Sequence, residues 1–215
     1  MNLKKRAQEI LKRLKKQFPN AEIELVYEPG NAWQLLVVVM LSAQTTDKKV
    51  NAISKSLFKR FPDPKATSKA TSLEVEPYLK SIGLFRNKSK NLIATAKKIM
   101  TDFHGCVPKT RDELETLPGI GKKSSAVVVS NVFSEPAMAV DTHVTRVSRR
   151  LGLTDSLNPE QIEKELTALW SKKNLFSAHN TLVLHGRYIC VARKPHCTKC
   201  PLFDICPRIG VKSFK

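Results

Sequence analysis

The sequence predicts an all-α fold, and three observations lead to this prediction. Apolar residues recur at helical spacing through most of the chain. Residues typical of helix starts and stops bound these stretches, and the connections between them are short. We therefore expect about ten short helices, and the length of 215 residues allows one large domain or two small ones.

The first predicted helix has an apolar stripe and basic residues on its other faces. The stripe consists of Leu3, Ala7, Ile10, Leu11, Leu14 and Phe18. A basic amphipathic helix can lie on a membrane, but a solvated basic face over a buried stripe is the commoner arrangement. We expect this helix to cover a protein core.

Two valine-rich segments are ambiguous between strand and helix. They are Trp33–Leu41 and 126–129. We predict buried helices for both, because the segments around them are helical and offer no partner strands.

The remaining helices have clearer boundaries. One stripe ends before Pro62, and another is closed by Gly105; their members are Val50, Ile53, Leu57, Phe58 and Phe61, then Leu92, Ile93, Ala96, Ile99, Met100 and Phe103. Thr110 and Glu113 have the spacing of a capping box for a short helix ending near Leu117. The pair Asn158-Pro159 is typical of a helix start, with Ile162, Leu166, Leu169 and Trp170 on the inward face.

The charge of the chain favours a polyanionic partner. Lys and Arg total 37 against 19 Asp and Glu, which gives a formal charge of +18 and a pI near 9.9. Nucleic acid or an anionic membrane surface fits such a surplus. The longest uninterrupted apolar run, Leu35–Leu41, is far below the roughly 20 residues that span a bilayer. The N-terminus also lacks the apolar stretch of a secretory signal. We therefore expect nucleic acid and no membrane as the partner.

The segment Leu117-Pro118-Gly119-Ile120-Gly121-Lys122-Lys123 predicts a tight hairpin between two helices. Pro118 closes the first helix, and glycine at 119 and 121 allows a tight turn with no Cβ in the way. The backbone N–H groups at the start of the next helix then suit a phosphate oxygen. Such a hairpin would position DNA without reading its sequence.

Lys123 is a candidate nucleophile because of its place at a helix start. The positive end of the helix dipole and the neighbouring Lys122 both disfavour a charged amine there. A neutral lysine amine is a nucleophile. The alternative is that Lys122 and Lys123 both contact phosphates.

Asp141 follows Lys123 by 18 residues and opens another predicted helix. Its simplest role is that of an N-cap, but one carboxylate oxygen can cap while the other faces a cleft. A helix, a turn at 134–136 and a return of the chain can bring Lys123 and Asp141 to one groove.

Four cysteines form a predicted metal site. Cys190, Cys197, Cys200 and Cys206 follow the spacing C-x6-C-x2-C-x5-C. Four thiolates in one short loop fit either tetrahedral zinc or an iron–sulfur cluster, and the spacing alone does not choose between them. The basic residues between the cysteines, among them Arg193 and Lys194, face phosphates in this interpretation.

Together these features resemble the endonuclease III family of helix–hairpin–helix DNA glycosylases. The resemblance runs from about Leu35 to Cys206. Its landmarks are Leu41-Ser42-Ala43-Gln44-Thr45-Thr46-Asp47, Ile82-Gly83-Leu84, the hairpin 117–123, Val140-Asp141-Thr142-His143, Leu184-His185-Gly186-Arg187-Tyr188 and the four cysteines.

The resemblance implies a domain organisation and a cofactor. A six-helix domain is expected over residues 26–135, with the helix–hairpin–helix motif at about 110–130. A second helical domain, formed from 1–25 and 136–215, would carry a 4Fe–4S cluster on the four cysteines, which decides against zinc.

The resemblance also implies a bifunctional enzyme of base excision repair. It would remove oxidised pyrimidines from duplex DNA and cleave the strand 3′ to the abasic site by β-elimination, through a Schiff base on Lys123 assisted by Asp141. Gln44 resembles the family residue that fills the gap left by the flipped nucleotide, and Leu84 one that wedges the opposite strand. The alternative for Leu84 is packing just past a helix end.

Partner and location follow from the same resemblance. We expect a monomer that binds double-stranded DNA with damaged pyrimidines or abasic sites, in the cytoplasm and on the nucleoid of a prokaryotic source. Two rivals are a non-catalytic DNA-binding module and a glycosylase for another lesion, such as mismatched thymine or an alkylated purine. Cys106 matches no motif and is expected to be a small buried hydrophobe.

Overall fold

The computed structural model describes residues 2–215, and these form eleven α-helices and one short 3₁₀ helix without any β-strand. The all-α prediction is confirmed. The helices are α1 Leu3–Gln17, α2 Ala32–Leu41, α3 Asp47–Arg60, α4 Pro64–Ser68, α5 Ser72–Leu79, α6 Phe85–Asp102, α7 Arg111–Glu115, α8 Lys122–Val132, α9 Thr142–Arg150, α10 Pro159–Leu169 and α11 Lys172–Tyr188, with the 3₁₀ helix at Cys197–Lys199.

The chain forms two compact units. The central unit is Glu24–Glu135 and contains α2 to α8. The terminal unit combines Met1–Ile23 with Pro136–Lys215 and contains α1 and α9 to α11.

The core of the central unit is built around α2, the valine-rich segment that was ambiguous in sequence. Every residue from Leu35 to Leu41 is buried, and α2 packs against α3, α6 and α8. A helix with apolar residues on all sides is stable only when other elements surround it. The same holds for 126–129 in α8, which are also buried. Both segments are helices, as predicted.

The core of the terminal unit contains four of the six residues of the stripe predicted for the first helix, because Leu3 is exposed and Phe18 is only half-buried. Ala7, Ile10, Leu11 and Leu14 are buried with the inward residues of α9, α10 and α11. The indole N–H of Trp170 donates to the backbone oxygen of Ala7, 3.1 Å away. The apolar face of α1 therefore covers a protein core. Among residues 2–215, no helix is long and apolar enough to cross a membrane.

Helix ends follow the predicted capping residues. The Thr110 side chain accepts from the Glu113 N–H at the start of α7, and Asn158 caps α10, where Pro159 is the first residue. The helix of Thr110 ends at Glu115, two residues before the predicted Leu117.

The expectation for Cys106 was wrong, because its side chain is exposed. Gly105 adopts a φ of +82° just after α6, and this turn ends the helix. Cys106 then lies on the surface, where its N–H donates to the Phe103 oxygen at 2.9 Å.

Candidate functional site

The hairpin between α7 and α8 is anchored to the core of the central unit. Leu117 and Ile120 are buried, and the Thr95 hydroxyl of α6 donates to the Pro118 oxygen at 2.8 Å. The Ser125 hydroxyl donates to a Glu115 carboxylate oxygen at 2.7 Å, which joins the two helices. The turn is therefore a fixed part of the surface.

The two glycines of the hairpin have different reasons to be glycine. Gly119 has a φ of +80°, and a Cβ there would lie 2.8 Å from Asn91 Nδ2. Gly121 has a φ of −113°, which any residue adopts, and nothing lies within 4 Å of its Cβ position. The conformational argument is confirmed for Gly119 and wrong for Gly121. Gly121 instead leaves open space at the N-terminus of α8.

The start of α8 carries only basic charge. Gly121 is its N-cap and, within the described chain, no side chain caps this end; the first turn holds Lys122 and Lys123 and no acidic residue. Both lysine side chains are exposed. Lys123 is thus accessible at the positive end of a helix dipole, beside backbone N–H groups that suit an anion.

Asp141 is the N-cap of α9, as predicted. Its Oδ1 accepts from the Val144 N–H at 2.7 Å. Asp141 also lines a surface pocket of the terminal unit, together with Arg146, Arg149 and Arg150. One oxygen is therefore committed to capping while the residue still borders an open, basic pocket. Lys123 belongs to the central unit and Asp141 to the terminal unit, so their pairing stays a prediction.

The predicted DNA-inserting residues lie on two adjacent turns of the central unit. Gln44 is exposed with a φ of 53° in the turn between α2 and α3. Leu84 has a φ of 58°, is the N-cap of α6 and is 56% exposed. A Cβ added to Gly83 would lie 3.9 Å from the Gln44 backbone oxygen, so the two turns approach each other. The exposure of Leu84 contradicts the alternative in which its side chain packs against the protein just past a helix end.

The four predicted ligands surround one cavity of the terminal unit. Cys190, Cys197, Cys200 and Cys206 all line it, and all are free thiols. Burial raises the pKa of Cys200 to about 11, and it also raises the pKa of Cys206 and Cys197 above the ordinary thiol value. A bound metal supplies the positive charge that thiolates need in such surroundings.

Hydrogen-bond donors point at these sulfurs. The N–H of Leu202 donates to Cys200 Sγ and that of Arg208 to Cys206 Sγ, both at 3.4 Å. His185 is buried, with Nε2 3.7 Å from Cys200 Sγ. Among residues 2–215, no group of three or more His, Cys, Asp or Glu side chains is positioned to hold a metal ion. The donor set nevertheless fits, because four thiols with N–H donors around one cavity suit an iron–sulfur cluster.

Two arginines that the sequence reasoning missed hold the cysteine loop. Arg146 Nε donates to the Cys190 oxygen at 3.1 Å, and Arg150 donates to the Val191 oxygen at 2.8 Å. Their spacing of four on α9 was the only signal. The loop that follows presents Arg193 and Lys194, both exposed, and Lys194 has a φ of 48°.

Two family models match this chain and give its class of protein. Residues 37–172 match the family described as HhH-GPD superfamily base excision DNA repair protein, which is well over half of the chain. Residues 190–206 match the iron–sulfur binding domain of endonuclease III. The second match confirms the predicted 4Fe–4S cofactor against the zinc alternative.

Individual relatives show which branch of this superfamily the chain is similar to. Endonuclease III of Rickettsia felis is 46% identical over 191 residues, or 89% of each chain. Endonuclease III of Escherichia coli K12 is 39% identical over 211 residues, or 96% of each chain. A solved structure of a trapped endonuclease III–DNA covalent intermediate superposes with a TM-score of 0.91, at 40% identity and 97% coverage of both chains. The chain belongs to the endonuclease III family, and its predicted enzyme class, DNA glycosylase and AP lyase, is the class of this family.

Proposed function

We propose that this protein removes oxidised pyrimidine bases from duplex DNA and then cleaves the strand 3′ to the abasic site. The observation that carries the proposal is the exposed Lys123 amine, which lies at the uncapped N-terminus of α8 directly after the phosphate-suited hairpin. The trapped covalent intermediate of an endonuclease III with DNA supports covalent chemistry on DNA, and Lys123 as the attacking residue is our assignment. The pyrimidine preference rests on the family resemblance.

The chemistry begins with a nucleotide rotated out of the duplex, because a stacked base cannot be attacked. The Lys123 nitrogen forms a bond to C1′ while the glycosidic bond breaks, and the base leaves with that electron pair. The alkylated nitrogen loses one proton, the C1′–O4′ bond breaks as O4′ takes up a proton, and a protonated Schiff base results. Removal of a C2′ proton then drives an electron pair toward the imine, the C3′–O bond breaks, and the 3′ phosphate leaves.

Asp141 assists this step in our proposal, either by accepting a proton from the amine or by stabilising developing positive charge. The pocket that it borders is open and basic, which suits a phosphate-bearing substrate. The substitution Asp141→Asn separates charge from capping, because asparagine is as good an N-cap as aspartate. We expect an unchanged unfolding curve and a strongly reduced excision rate. Equal loss of stability and activity would mean that Asp141 only caps α9.

Borohydride trapping tests Lys123 directly. An imine between the enzyme and abasic DNA becomes a permanent covalent bond on reduction, whereas a passive DNA-binding module gives none. We expect Lys123→Gln to abolish both trapping and strand cleavage while DNA affinity is largely kept. Lys122→Gln is the matched control, since it removes the same charge one residue earlier and should still be trapped. Strand scission by Lys123→Gln would refute the assignment.

The contacts to DNA are proposed on the same surfaces. Gly119, Gly121 and Lys122 would grip phosphate, while Gln44 and Leu84 enter the duplex, an assignment that the exposure of both side chains supports. On the cysteine loop, exposed Arg193 and Lys194 would contact phosphates.

The four cysteines are proposed as the ligands of the cluster. When bound, it would cross-link the loop 190–206 and so shape its basic surface.

The broader setting is also a proposal. The central unit, which has seven helices where six were expected, would be the helix–hairpin–helix domain. The terminal unit would be the cluster domain, and the protein would act as a monomer. The relatives are bacterial endonucleases, which supports a cytoplasmic enzyme on the nucleoid of a prokaryote. A panel of duplexes with single lesions, including mismatched thymine and alkylated purines, would test the preference.

A further inference from the structure

Lys88 is a buried lysine in the second turn of α6. It is only 5% exposed, although it lies in the strongly basic stretch Arg86–Lys90. Its amine donates to the Leu41 backbone oxygen at 2.9 Å and to the Thr45 hydroxyl at 2.7 Å. Both acceptors are neutral oxygens, and burial lowers the pKa of Lys88.

The two acceptors lie on either side of Gln44 in the chain, at the two ends of its turn. Leu41 is the last residue of α2, and Thr45 immediately follows Gln44. On its own helix, the Lys88 backbone N–H donates to the oxygen of Leu84 at 3.0 Å, so Lys88 lies one helical turn after the other predicted inserting residue. One side chain therefore joins the Gln44 turn to the helix that begins at Leu84.

Both turns need support because both are in an unfavourable backbone conformation. Gln44 and Leu84 have positive φ values of 53° and 58°. A non-glycine residue in this region is strained and persists only when its surroundings fix it. An apolar side chain at position 88 would fill the space without the cost of burying an amine, but it could not hold the Gln44 turn.

We propose that Lys88 is a positioning residue that fixes the Gln44 turn against the Leu84 turn, so that both side chains enter the duplex as one unit. This inference rests on the proposed function, in which Gln44 and Leu84 insert into DNA. Lys88 itself touches neither the sugar nor the base in this proposal.

The test uses the whole protein with its cluster and a duplex that contains a non-cleavable abasic analogue. A 2-aminopurine on the opposite strand beside the analogue becomes brighter when its stacking is disrupted. Lys88→Met keeps the length and bulk of the side chain but removes the amine. We expect a reduced fluorescence change at saturating protein and a decrease of about tenfold in single-turnover excision, the order expected from losing one or two hydrogen bonds. Affinity for undamaged duplex should be unchanged, because phosphate contacts dominate it.

Two further variants make the result specific. Lys97→Met removes the same charge from an exposed position on the same helix, and should match the unsubstituted enzyme in both assays. Thr45→Val removes one of the two acceptors and should reduce both the fluorescence change and the excision rate. This variant tests the positioning role if Lys88→Met does not fold.

Leu84→Ala separates the inference from the proposed function. If Leu84→Ala loses the fluorescence change while Lys88→Met and Thr45→Val retain it, Lys88 has no positioning role. If Leu84→Ala also retains it, insertion by Leu84 is refuted and the positioning role falls with it. Loss in all three variants, with Lys97→Met unaffected, is the result we expect.

Discussion

The hairpin glycines give a prediction in which two similar substitutions have different effects on stability. Gly119→Ala forces alanine into a φ of +80°, which costs roughly 1–2 kcal/mol. The new Cβ would also lie 2.8 Å from Asn91 Nδ2 and 3.3 Å from two Asn91 carbons, and the resulting overpacking adds about 1 kcal/mol. We expect a loss of about 2–3 kcal/mol in the free energy of unfolding of the central unit.

Gly121→Ala is the matched control for stability. Its φ of −113° suits alanine, and no atom apart from those of its immediate chain neighbours lies within 4 Å of the added methyl. Fewer unfolded conformations favour alanine by about 0.4–1 kcal/mol, and the weaker N-cap offsets a similar amount. We expect stability within about 0.5 kcal/mol of the unsubstituted protein. Because the methyl occupies the approach to the α8 N–H groups, DNA affinity should nevertheless fall.

Urea unfolding followed by tryptophan fluorescence measures the difference. The chain has two tryptophans, Trp33 in the central unit and Trp170 in the terminal unit. A Trp170→Phe background therefore lets Trp33 report the central unit alone. Equal stability of the two glycine variants would refute the conformational argument. Unchanged DNA affinity of Gly121→Ala would refute phosphate binding at this helix end.

Three further predictions concern the terminal unit. Cys200→Ser should lower iron content and the visible absorbance of the cluster, whereas Cys106→Ser, which changes an exposed thiol, should leave both unchanged; equal spectra would remove Cys200 from the ligand set. Gly186→Ala should destabilise the terminal unit by about 1–3 kcal/mol, because the added Cβ would lie 2.9 Å from His143 Cβ. His143 is on the helix that Asp141 caps, so excision should also slow. Helix propensity alone predicts a gain in stability, and that result would contradict the packing argument. Lys194→Ala should weaken binding to all DNA sequences and lower the salt slope by about one at most, and an unchanged slope would exclude this loop from the interface.

The fold was largely readable from the sequence because its signals are local. Helical spacing of apolar residues, the cap at Thr110 and the start at Asn158-Pro159 each depend on a few neighbouring residues, and the structure has helices at all of them. The valine-rich α2 was the exception. Its helical state follows from the surrounding helices, so it was predicted from context and not from its own pattern.

The site was less readable because side-chain environment depends on distant parts of the chain. Lys88 was missed although it precedes Leu92 by four residues, which places it on the buried face of α6. Lysine is usually exposed, so the charge of this residue and its helical spacing give opposite predictions. Gly119 and Gly121 were both expected to allow a tight turn, but only Gly119 has a positive φ. Cys106 was expected inside on the usual preference of cysteine, but a turn at Gly105 decides its exposure.

The local energetics of the proposed DNA surface support a functional origin for its irregularities. Six non-glycine residues between 2 and 215 have positive φ, and Gln44, Leu84 and Lys194 are three of them. Glycine would occupy each position with less strain. The start of α8 likewise places two lysines where an acidic residue would be more stable. Sequences depart from the locally favourable choice mainly where function requires it. These departures fall on the turns, the helix start and the loop that we propose meet DNA, and each retains a side chain that would act there.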